Sequence, residues 1–412
     1  MLHPLFVRPQ YGQACFSDIP HTIERLLTGK GRAGLRPDLL GPLHRPFKNV
    51  VCLFIDALGW RFIASRLTQH PFLETIVRRG VATKLTSQFP STTAVHMTAF
   101  HTGLTPARSG IFEWRYHEPA LGEMICPLPF SLSGDRTRGT LAALGIDPAS
   151  LYPPATFYQR LACAGVQSTA FIPEGYWDSP FSKHMTQGAT RRPVKTLAEG
   201  LTNAVLQLQA TALPQYINLY HPDIDTLCHR YGPNAPQVAA QIDVVLSTLE
   251  RCLLDPNLPK DDTLLLITAD HGQVEVSPER TFYLNLDPRL LALPEMLQTT
   301  PDGRPLVPGG SPRDLFLYVK PARLDDAAAL LTPVLKGIAD VIKVQDLVEE
   351  GFFGDTQVCD AFRARIANLV ILPYKHEAVW WYEEGRFANT FYGHHGGLTA
   401  DEMEIPLLAC PL

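Results

Sequence analysis

The sequence lacks the paired cysteines that build disulfide frameworks or cysteine-rich metal sites. Its eight cysteines are dispersed singly, and no CxxC pair occurs. Cys52 and Cys410 lie inside apolar runs, where small buried thiols are common. We therefore expect a reduced, cytoplasmic protein.

Long apolar runs and long basic runs are also missing. In the amino-terminal segment MLHPLFVRPQYGQ, His3, Pro4, Arg8 and Pro9 interrupt any signal-peptide core. No run approaches the length of a transmembrane helix, so no membrane partner is expected. A net charge of −5 without a basic run argues against a nucleic-acid-binding surface, although it leaves a nucleotide substrate open. The oligomeric state is not indicated by any pattern in the sequence.

Apolar runs alternate with helix-length stretches along most of the 412 residues. The run Asn49–Ile55 is unbroken, which is typical of a parallel strand covered on both faces. Further strands are predicted at 82–86, 166–172, 216–220, 263–268 and 405–409. The alternation predicts an α/β fold with a mostly parallel central sheet flanked by helices.

Two segments depart from this alternation. Residues 111–160 hold many prolines and aromatics and are interpreted as a cap-like loop region. Residues 276–389 are predicted to form a smaller α+β insertion, with a helix at 324–337 and strands at 314–319, 341–343, 369–372 and 378–382. One catalytic domain is thus expected over residues 1–275 and 390–412.

Seven polar residues follow the predicted strands, where open α/β sheets place their chemistry. Three aspartates and three histidines are enough ligands for two divalent metal ions, and a threonine stands where a nucleophile is needed. Zinc suits this mixed nitrogen and oxygen set, with manganese as the substitute. The seven residues are Asp56, Thr93, Asp225, His229, Asp270, His271 and His395.

Neighbouring residues compete for some of these roles. Asp225 and His229 are four residues apart and face the same way on a helical turn, a spacing that Asp223 does not share. Taken alone, this DxxxH pattern is weak, and a helix-capping aspartate beside an incidental surface histidine is the favoured explanation. Chemistry alone does not separate His394 from His395 as a metal ligand.

The nucleophile segment reads FPSTTAVHM. Pro90 followed by Ser91, Thr92 and Thr93 is a helix-start signature, and the amino terminus of a helix favours anions. Plain capping by serine or threonine explains the same pattern. A threonine hydroxyl needs activation to attack, and metal coordination supplies it. Together with the ligands elsewhere, the segment predicts catalysis.

Five elements occur in a fixed order: an Asp closing the first strand, FPxxT nine residues before TG and then GI, DxxxHxxGP, DHG after a strand, and a late GxHG. They resemble the alkaline phosphatase superfamily, and most closely its nucleotide pyrophosphatase/phosphodiesterase (type I phosphodiesterase) branch. The resemblance covers about residues 48–275 and 390–410. The matching residues are Asp56, Phe89, Pro90, Thr93, Thr102, Gly103, Gly110, Ile111, Asp225, His229, Gly232, Pro233, Asp270, His271, Gly272, Gly393, His395 and Gly396.

The resemblance implies how the ligands divide between two divalent metal ions. One metal would be held by Asp225, His229 and His395. The other would be held by Asp56, Asp270 and His271, with the threonine between the two. It also implies that Thr93, the residue nine positions before Thr102, is both a metal ligand and the catalytic nucleophile. Among the two histidines near the carboxyl terminus, the GxHG spacing selects His395.

The implied function is a metal-dependent phosphodiesterase or nucleotide pyrophosphatase that forms a phosphothreonine intermediate on a small-molecule phosphodiester or nucleotide. Many members place an asparagine three residues after the nucleophile to bind a phosphoryl oxygen. This chain has His96 there, which we predict to bind substrate by one hydrogen bond.

Monoesterase, mutase and phosphonate hydrolase activities of the same superfamily remain alternatives, as does a non-catalytic, metal-stabilised binding domain. Arg115 is the nearby cation that argues for a dianionic monoester. Aromatic residues that line the site would favour a diester substrate. Aromatic residues that only pack the cap would not distinguish between substrates. These aromatic residues are Phe112, Trp114, Tyr116, Tyr152, Phe157, Tyr158, Tyr176 and Trp177.

Overall fold

The structure is a computed structural model that describes residues 3–254 and 262–412. The strands of the described residues are β1 Asn49–Ile55, β2 Val81–Thr86, β3 Tyr116–Glu118, β4 Glu123–Cys126, β5 Ser131–Leu132, β6 Gln167–Pro173, β7 Thr190–Val194, β8 Gln215–His221, β9 Thr263–Thr268, β10 Val274–Glu275, β11 Phe282–Tyr283, β12 Gly309–Ser311, β13 Asp314–Leu317, β14 Ala339–Lys343, β15 Leu369–Pro373, β16 Val379–Trp380, β17 Gly393–His394 and β18 Glu404–Pro411.

The α-helices of the same residues are α1 Ile19–Thr28, α2 Trp60–Ala64, α3 Pro71–Arg79, α4 Thr93–Thr102, α5 Pro106–Ser109, α6 Thr140–Ala143, α7 Phe157–Cys163, α8 Pro180–Met185, α9 Leu197–Gln209, α10 Asp223–Tyr231, α11 Pro236–Leu253, α12 Leu293–Met296, α13 Leu324–Val334, α14 Val344–Glu349, α15 Asp360–Arg365 and α16 Ala400–Met403. None of these helices is both long and apolar enough to cross a membrane.

A seven-stranded central sheet forms in the order β2-β18-β9-β1-β8-β6-β7. Strands β9, β1, β8, β6 and β7 are parallel to one another, and β18 runs antiparallel to both of its neighbours. Every residue of β1 and of β9 is buried, so both faces of the sheet centre are covered. The predicted α/β fold with a mostly parallel sheet is confirmed.

The edge strand β7 was not predicted from the sequence. Its sequence TRRPV carries two charges and a proline. Four of its five residues are partly or fully exposed to solvent. Proline and charged side chains are tolerated on an edge strand, because one side of the strand needs no ladder partner. The same features hide such a strand from a search for apolar runs.

The cap-like segment contains more order than a loop. Strands β3, β4 and β5 form a small antiparallel sheet within residues 111–160. The 276–389 region forms its own antiparallel sheet, in the order β12-β13-β15-β14. Its predicted helix ends three residues early, at Val334, and the predicted strand at 378–382 is reduced to β16.

The insertion sheet shares a core with the cap. Phe316 of β13 lies in one apolar cluster with Phe112 and Tyr116, and the Phe112 and Phe316 rings meet edge to face at 5.3 Å. The alternate residues Leu315 and Leu317 face a second cluster with α13. The insertion therefore packs against the cap on one face, and its status as a separate subdomain stays a prediction.

Candidate active site

The topology brings all seven predicted residues to one edge of the central sheet. Strands β1, β8 and β9 run in parallel, and Asp56 directly follows the first of them. Asp225 lies in the first turn of α10, just after β8, and Asp270 lies two residues after β9. His395 arrives separately, because β17 pairs with β10 immediately after the Asp270–His271 turn.

The six acidic and histidine residues form two groups that can each hold a cation. In each group the candidate ligand atoms lie within 4.8 Å of one another. The half-buried group comprises Asp225, His229 and His395, and the fully buried group comprises Asp56, Asp270 and His271. The groups adjoin, since the His271 and His395 rings stack with their centroids 3.6 Å apart.

Each of the three histidines is oriented in the same way. Its Nδ1 lies at hydrogen-bond distance from a backbone carbonyl, which fixes the ring and directs Nε2 toward the carboxylates. The three contacts are His229 to Gly393 O at 2.7 Å, His395 to Ser91 O at 2.8 Å and His271 to Gly272 O at 3.0 Å. A neutral imidazole with a free Nε2 is the form that binds metal.

The carboxylates repel one another in the bare protein. Burial, reinforced by the charges of Asp270 and Asp225, raises the pKa of Asp56 well above its usual range. Burial opposes ionisation of Asp270 too, yet the charge of His271 and its hydrogen bond lower the Asp270 pKa to about 2. A cation placed among these groups would relieve this repulsion.

Two buried carboxylate oxygens test whether a metal fits. Among the described residues, Asp56 Oδ1 and Asp270 Oδ2 share one cationic neighbour, the imidazole of His271, whose Nε2 lies 3.6 and 3.2 Å away. The second oxygen of each aspartate is occupied: Tyr220 donates its hydroxyl to Asp56 Oδ2, and the backbone N–H groups of Ala57 and His271 donate to Asp270 Oδ1. Two buried carboxylates that share one imidazole are costly unless a cation coordinates them, so the donor set fits divalent metals.

Thr93 begins helix α4, and Thr92 is its N-cap residue with an extended backbone. The Thr93 hydroxyl lies 3.2 Å from Nε2 of His271, beside the buried ligand group. The first amides of the helix have no partner inside the helix, and they make this end favourable for an anion. Position favours Thr93 over Thr92 as the nucleophile.

The geometry does not favour the substrate contact expected of His96. Its side chain is fully buried behind the site and is not among the residues that line the cavity. Nε2 accepts from the backbone N–H of Gln88 at 2.9 Å, so Nδ1 carries the proton and donates to Thr92 O at 2.8 Å. With both nitrogens engaged, His96 has no donor for a phosphoryl oxygen. Burial lowers its pKa to about 4, so the ring stays neutral.

The competing residues lie outside both ligand groups. His394 is buried, and its Nε2 lies 2.7 Å from Oδ1 of Asn389, which makes it a hydrogen-bonding neighbour of the site. Asp223 is exposed, and its carboxylate lies 3.7 Å from His221. The geometry therefore places His395 and Asp225, rather than their neighbours, at the half-buried group.

Two glycines allow the loop that carries His395 to approach its surroundings. A Cβ on Gly393 would lie 2.4 Å from Cys228 O, on the helix that carries His229. Gly396 has φ +127°, and a Cβ there would lie 2.5 Å from Asp314 Oδ1. Both positions require glycine, the first for close approach and the second also for its backbone conformation.

The insertion supports the same loop. The Ser311 hydroxyl donates a hydrogen bond to the carbonyl oxygen of His395 at 2.9 Å. Arg313, which is fully buried, pairs in bidentate fashion with the buried Glu402, at 3.0 and 2.9 Å. Glu402 in turn accepts from the backbone N–H of Gly397 at 3.0 Å. These contacts were not predicted, since nothing in the sequence links positions 311–313 to the carboxyl-terminal motif.

A cavity of about 500 Å³ opens above the ligand groups. Its wall contains both predicted and unpredicted residues. Trp114, Tyr176 and Arg115, named from the sequence, line it, whereas the predicted Tyr152, Phe157 and Tyr158 are buried in cores. The wall residues missed by the sequence include Arg138, Phe181, Tyr220, Trp380, Asn389 and Phe391.

Comparisons with known proteins match one family model and several solved structures. The family model described as type I phosphodiesterase / nucleotide pyrophosphatase matches residues 50–398. A comparison with curated proteins finds no match.

Solved structures with a similar fold include two kinds of enzyme. Murine ectonucleotide pyrophosphatase / phosphodiesterase 5, an inactive variant in complex with AMP, is 17% identical with a TM-score of 0.63, covering 87% of each chain. The human protein of that name is 19% identical with a TM-score of 0.62 over 87% of each chain. Phosphonoacetate hydrolase from Sinorhizobium meliloti 1021, in complex with phosphonoformate, is 17% identical with a TM-score of 0.60, covering 87% of this chain and 89% of that chain. At these identities the likeness shows a shared fold.

Proposed function

Because this chain belongs to the type I phosphodiesterase / nucleotide pyrophosphatase family, as its motifs predicted, we propose that it is a two-metal hydrolase with Thr93 as its nucleophile. The family establishes a hydrolase of phosphoric ester or phosphoanhydride bonds. The nucleophile, the metal count and the choice of substrate are the proposal.

One observation carries the proposal. A threonine hydroxyl at a helix amino terminus lies 3.2 Å from an imidazole of the buried ligand group, and the half-buried group adjoins it through stacked rings. Helix capping does not account for Thr93, because Thr92 is the N-cap residue of α4. It also does not explain two adjacent sets of carboxylates and imidazoles that can each hold a cation, whereas a two-metal phosphoryl-transfer site does.

The proposed division of ligands gives Asp225, His229 and His395 to one metal and Asp56, Asp270 and His271 to the other. Zinc is proposed for both, with manganese as the substitute. When bound, the two ions would neutralise charge on the phosphoryl group and make the Thr93 hydroxyl easier to deprotonate.

In the proposed reaction, Thr93 Oγ1 gives up its proton to solvent and forms a bond to phosphorus. The bond from phosphorus to the leaving oxygen breaks, and that oxygen takes up a proton from solvent as the alcohol or phosphate departs. Water then attacks the phosphorus of phosphothreonine, and the Thr93 hydroxyl re-forms as the phosphorus product leaves. The chain itself orients the nucleophile through α4 and directs the first amides of that helix at the phosphoryl oxygens. For His96 we propose a positioning role toward the backbone of Gln88 and Thr92 in place of a substrate contact.

A phosphodiester or nucleotide is the first proposed substrate class. The cavity is large enough for a substituent beyond the phosphoryl group, and it has aromatic side chains in its wall. Phosphonate hydrolysis is the second candidate, favoured by two arginines that line the same wall. A cytoplasmic location, expected from the dispersed cysteines, stays a proposal, and cell fractionation with an antibody to the chain would test it.

The test of the nucleophile compares Thr93→Ala and Thr93→Ser with Thr92→Ala as the matched control. The zinc-loaded and manganese-loaded proteins are assayed with para-nitrophenyl monoesters, para-nitrophenyl diesters and a dinucleotide. We expect Thr93→Ala to lose at least about 1,000-fold in kcat while keeping its metal, since no other hydroxyl replaces the nucleophile. Thr93→Ser should keep measurable turnover.

Loss of activity in Thr92→Ala together with a fully active Thr93→Ala would refute the assignment. Mass spectrometry of a rapidly quenched reaction gives a second readout, because the phosphorylated residue should be Thr93. A metal-loaded wild-type chain that hydrolyses none of the substrates would refute the proposed function itself.

A further inference from the structure

The charges of the cavity wall are distributed unevenly. Histidines aside, the charged side chains among the residues lining the cavity are Asp56, Asp225, Arg115 and Arg138. Both aspartates belong to the ligand groups. The part of the wall that lies beyond the ligand groups therefore offers two cations and no carboxylate, as far as the described lining residues go.

Arg115 is held in place without being neutralised. Its guanidinium carbon lies 5.3 Å from the centroid of the Trp380 ring, another wall residue. Its Nε is buried and has no hydrogen-bond partner among the described residues. The adjacent Glu113 does not supply a counter-charge at neutral pH, because burial raises the pKa of that carboxyl to about 8.

The backbone of Arg115 is also held in place, by one hydrogen bond on each side of the residue. Its N–H donates to Glu113 Oε2 at 3.3 Å, and its carbonyl accepts from the N–H of Gly310 at 2.8 Å. A guanidinium that is fixed by an aromatic face and by its own backbone loses little freedom when it binds a ligand. The Arg115 side chain as a whole is half-buried and lines the cavity, so its guanidinium can donate to an acceptor on a ligand there.

A second arginine extends the positive surface toward solvent. Arg138 is exposed, and its guanidinium carbon lies 4.8 Å from the centroid of the Tyr176 ring in the cavity wall. Arg136, two residues earlier, points elsewhere, since it donates to Gly385 O and does not line the cavity. The contrast identifies Arg136 as a matched control for any test of the wall.

We propose that Arg115 binds a second anionic group of the substrate, a carboxylate or a phosphate-type group on the substituent attached to the reacting phosphorus. The inference rests on the proposed function, because it assigns the substrate of that same site. A guanidinium fork matches both kinds of anion with two parallel hydrogen bonds, which a neutral group does not reproduce. The substrate class is then a compact phosphorus ester or phosphonate that carries a second negative charge.

The test measures binding of matched phosphonates to the zinc-loaded wild-type protein by titration calorimetry. The probes are 3-phosphonopropanoate, its neutral carboxamide, and propane-1,3-bisphosphonate. The carboxylate and carboxamide have nearly the same shape, so their ratio of dissociation constants isolates the second charge. We expect at least about a tenfold preference for one of the two charged probes over the amide. Whichever charged probe binds more tightly tells carboxylate from phosphate-type substrates.

The same titrations on Arg115→Met should bring the ratio to within about twofold, while Arg136→Met should leave it as in the wild type. If wild type bound the carboxamide as tightly as both probes with a second negative charge, the inference would be overturned without any variant. A preference that persists in Arg115→Met would also overturn it, since the second anion would then bind elsewhere, for example on the metals. An Arg115-dependent preference in a chain that hydrolyses no phosphorus ester would support the anion subsite and refute the proposed function instead.

Discussion

Replacing Glu402 by Gln should destabilise the protein far more than replacing a similar acid at the surface. Glu402 and Arg313 are both fully buried, and two hydrogen bonds of 3.0 and 2.9 Å join them. The carboxylate also accepts from the N–H groups of Gly397 and Thr399, at 3.0 and 3.3 Å. In Glu402→Gln, an N–H₂ group replaces one carboxylate oxygen and points at the groups that donated to that oxygen. The charge of Arg313 is then buried without a counter-charge.

Breaking a buried ion pair by removing one partner costs about 3–5 kcal/mol. We expect Glu402→Gln to lower the free energy of unfolding in urea by about that amount. The matched control is Asp326→Asn, which breaks the Arg323–Asp326 pair, whose side chains are 43% and 60% exposed. Exposed pairs contribute only about 0.2–1 kcal/mol, so this control should be nearly neutral.

The metal site gives the Glu402 experiment a second readout. Gly397 lies two residues after His395, so a disturbed Gly397 contact should also reduce the occupancy of the half-buried ligand group. Zinc content of purified Glu402→Gln should then fall below that of Asp326→Asn. If both variants lost less than about 1 kcal/mol and kept the same zinc content, the argument that this buried pair holds the loop in place would be wrong.

Two other perturbations probe the ligand assignment and the buried acids. His395→Ala should lose metal and reduce kcat by more than about 100-fold, because it removes a proposed ligand. His394→Ala removes only a hydrogen-bonding neighbour and should reduce kcat by about 10–100-fold. The reverse order, measured by elemental analysis and kcat, would assign the ligand to His394. Burial raises the pKa of Glu113 from 4.5 to about 8, so the folded state holds a proton that the unfolded state releases between these values. Stability should therefore fall as pH rises across that window, by up to about 1.4 kcal/mol per pH unit. Glu113→Gln should flatten the slope in urea titrations, exposed Glu384→Gln should not, and equal slopes for both would contradict the assigned burial effect.

Most of the central sheet was predictable because its strands are buried on both faces. Asn49–Ile55 and Thr263–Thr268 are unbroken apolar runs, and their observed limits equal the predicted ones. The small elements were predicted less accurately. Short strands such as Val379–Trp380 contain too few residues to show a periodic pattern of apolar side chains. Edge strand β7 escaped notice because its charges and proline resemble those of a loop.

The proposed ligand residues could be named from the sequence because a metal site requires particular atoms at strand ends, and the motifs supply them at fixed spacing. What the sequence did not give was the environment around them. The resemblance to family members suggested a substrate contact for His96, but the ring faces inward and satisfies backbone groups of Gln88 and Thr92. The support of His395 by Ser311 depends on a contact across 84 positions, and no local pattern encodes it.

The central claim is that two metal ions bind beside Thr93, and anomalous X-ray diffraction from a zinc-loaded crystal tests it most directly. The account predicts two strong anomalous peaks, one coordinated by Asp225, His229 and His395 and the other by Asp56, Asp270 and His271. The Thr93 hydroxyl should lie between them. A single peak, no peak, or a peak coordinated by His394 in place of His395 would contradict it.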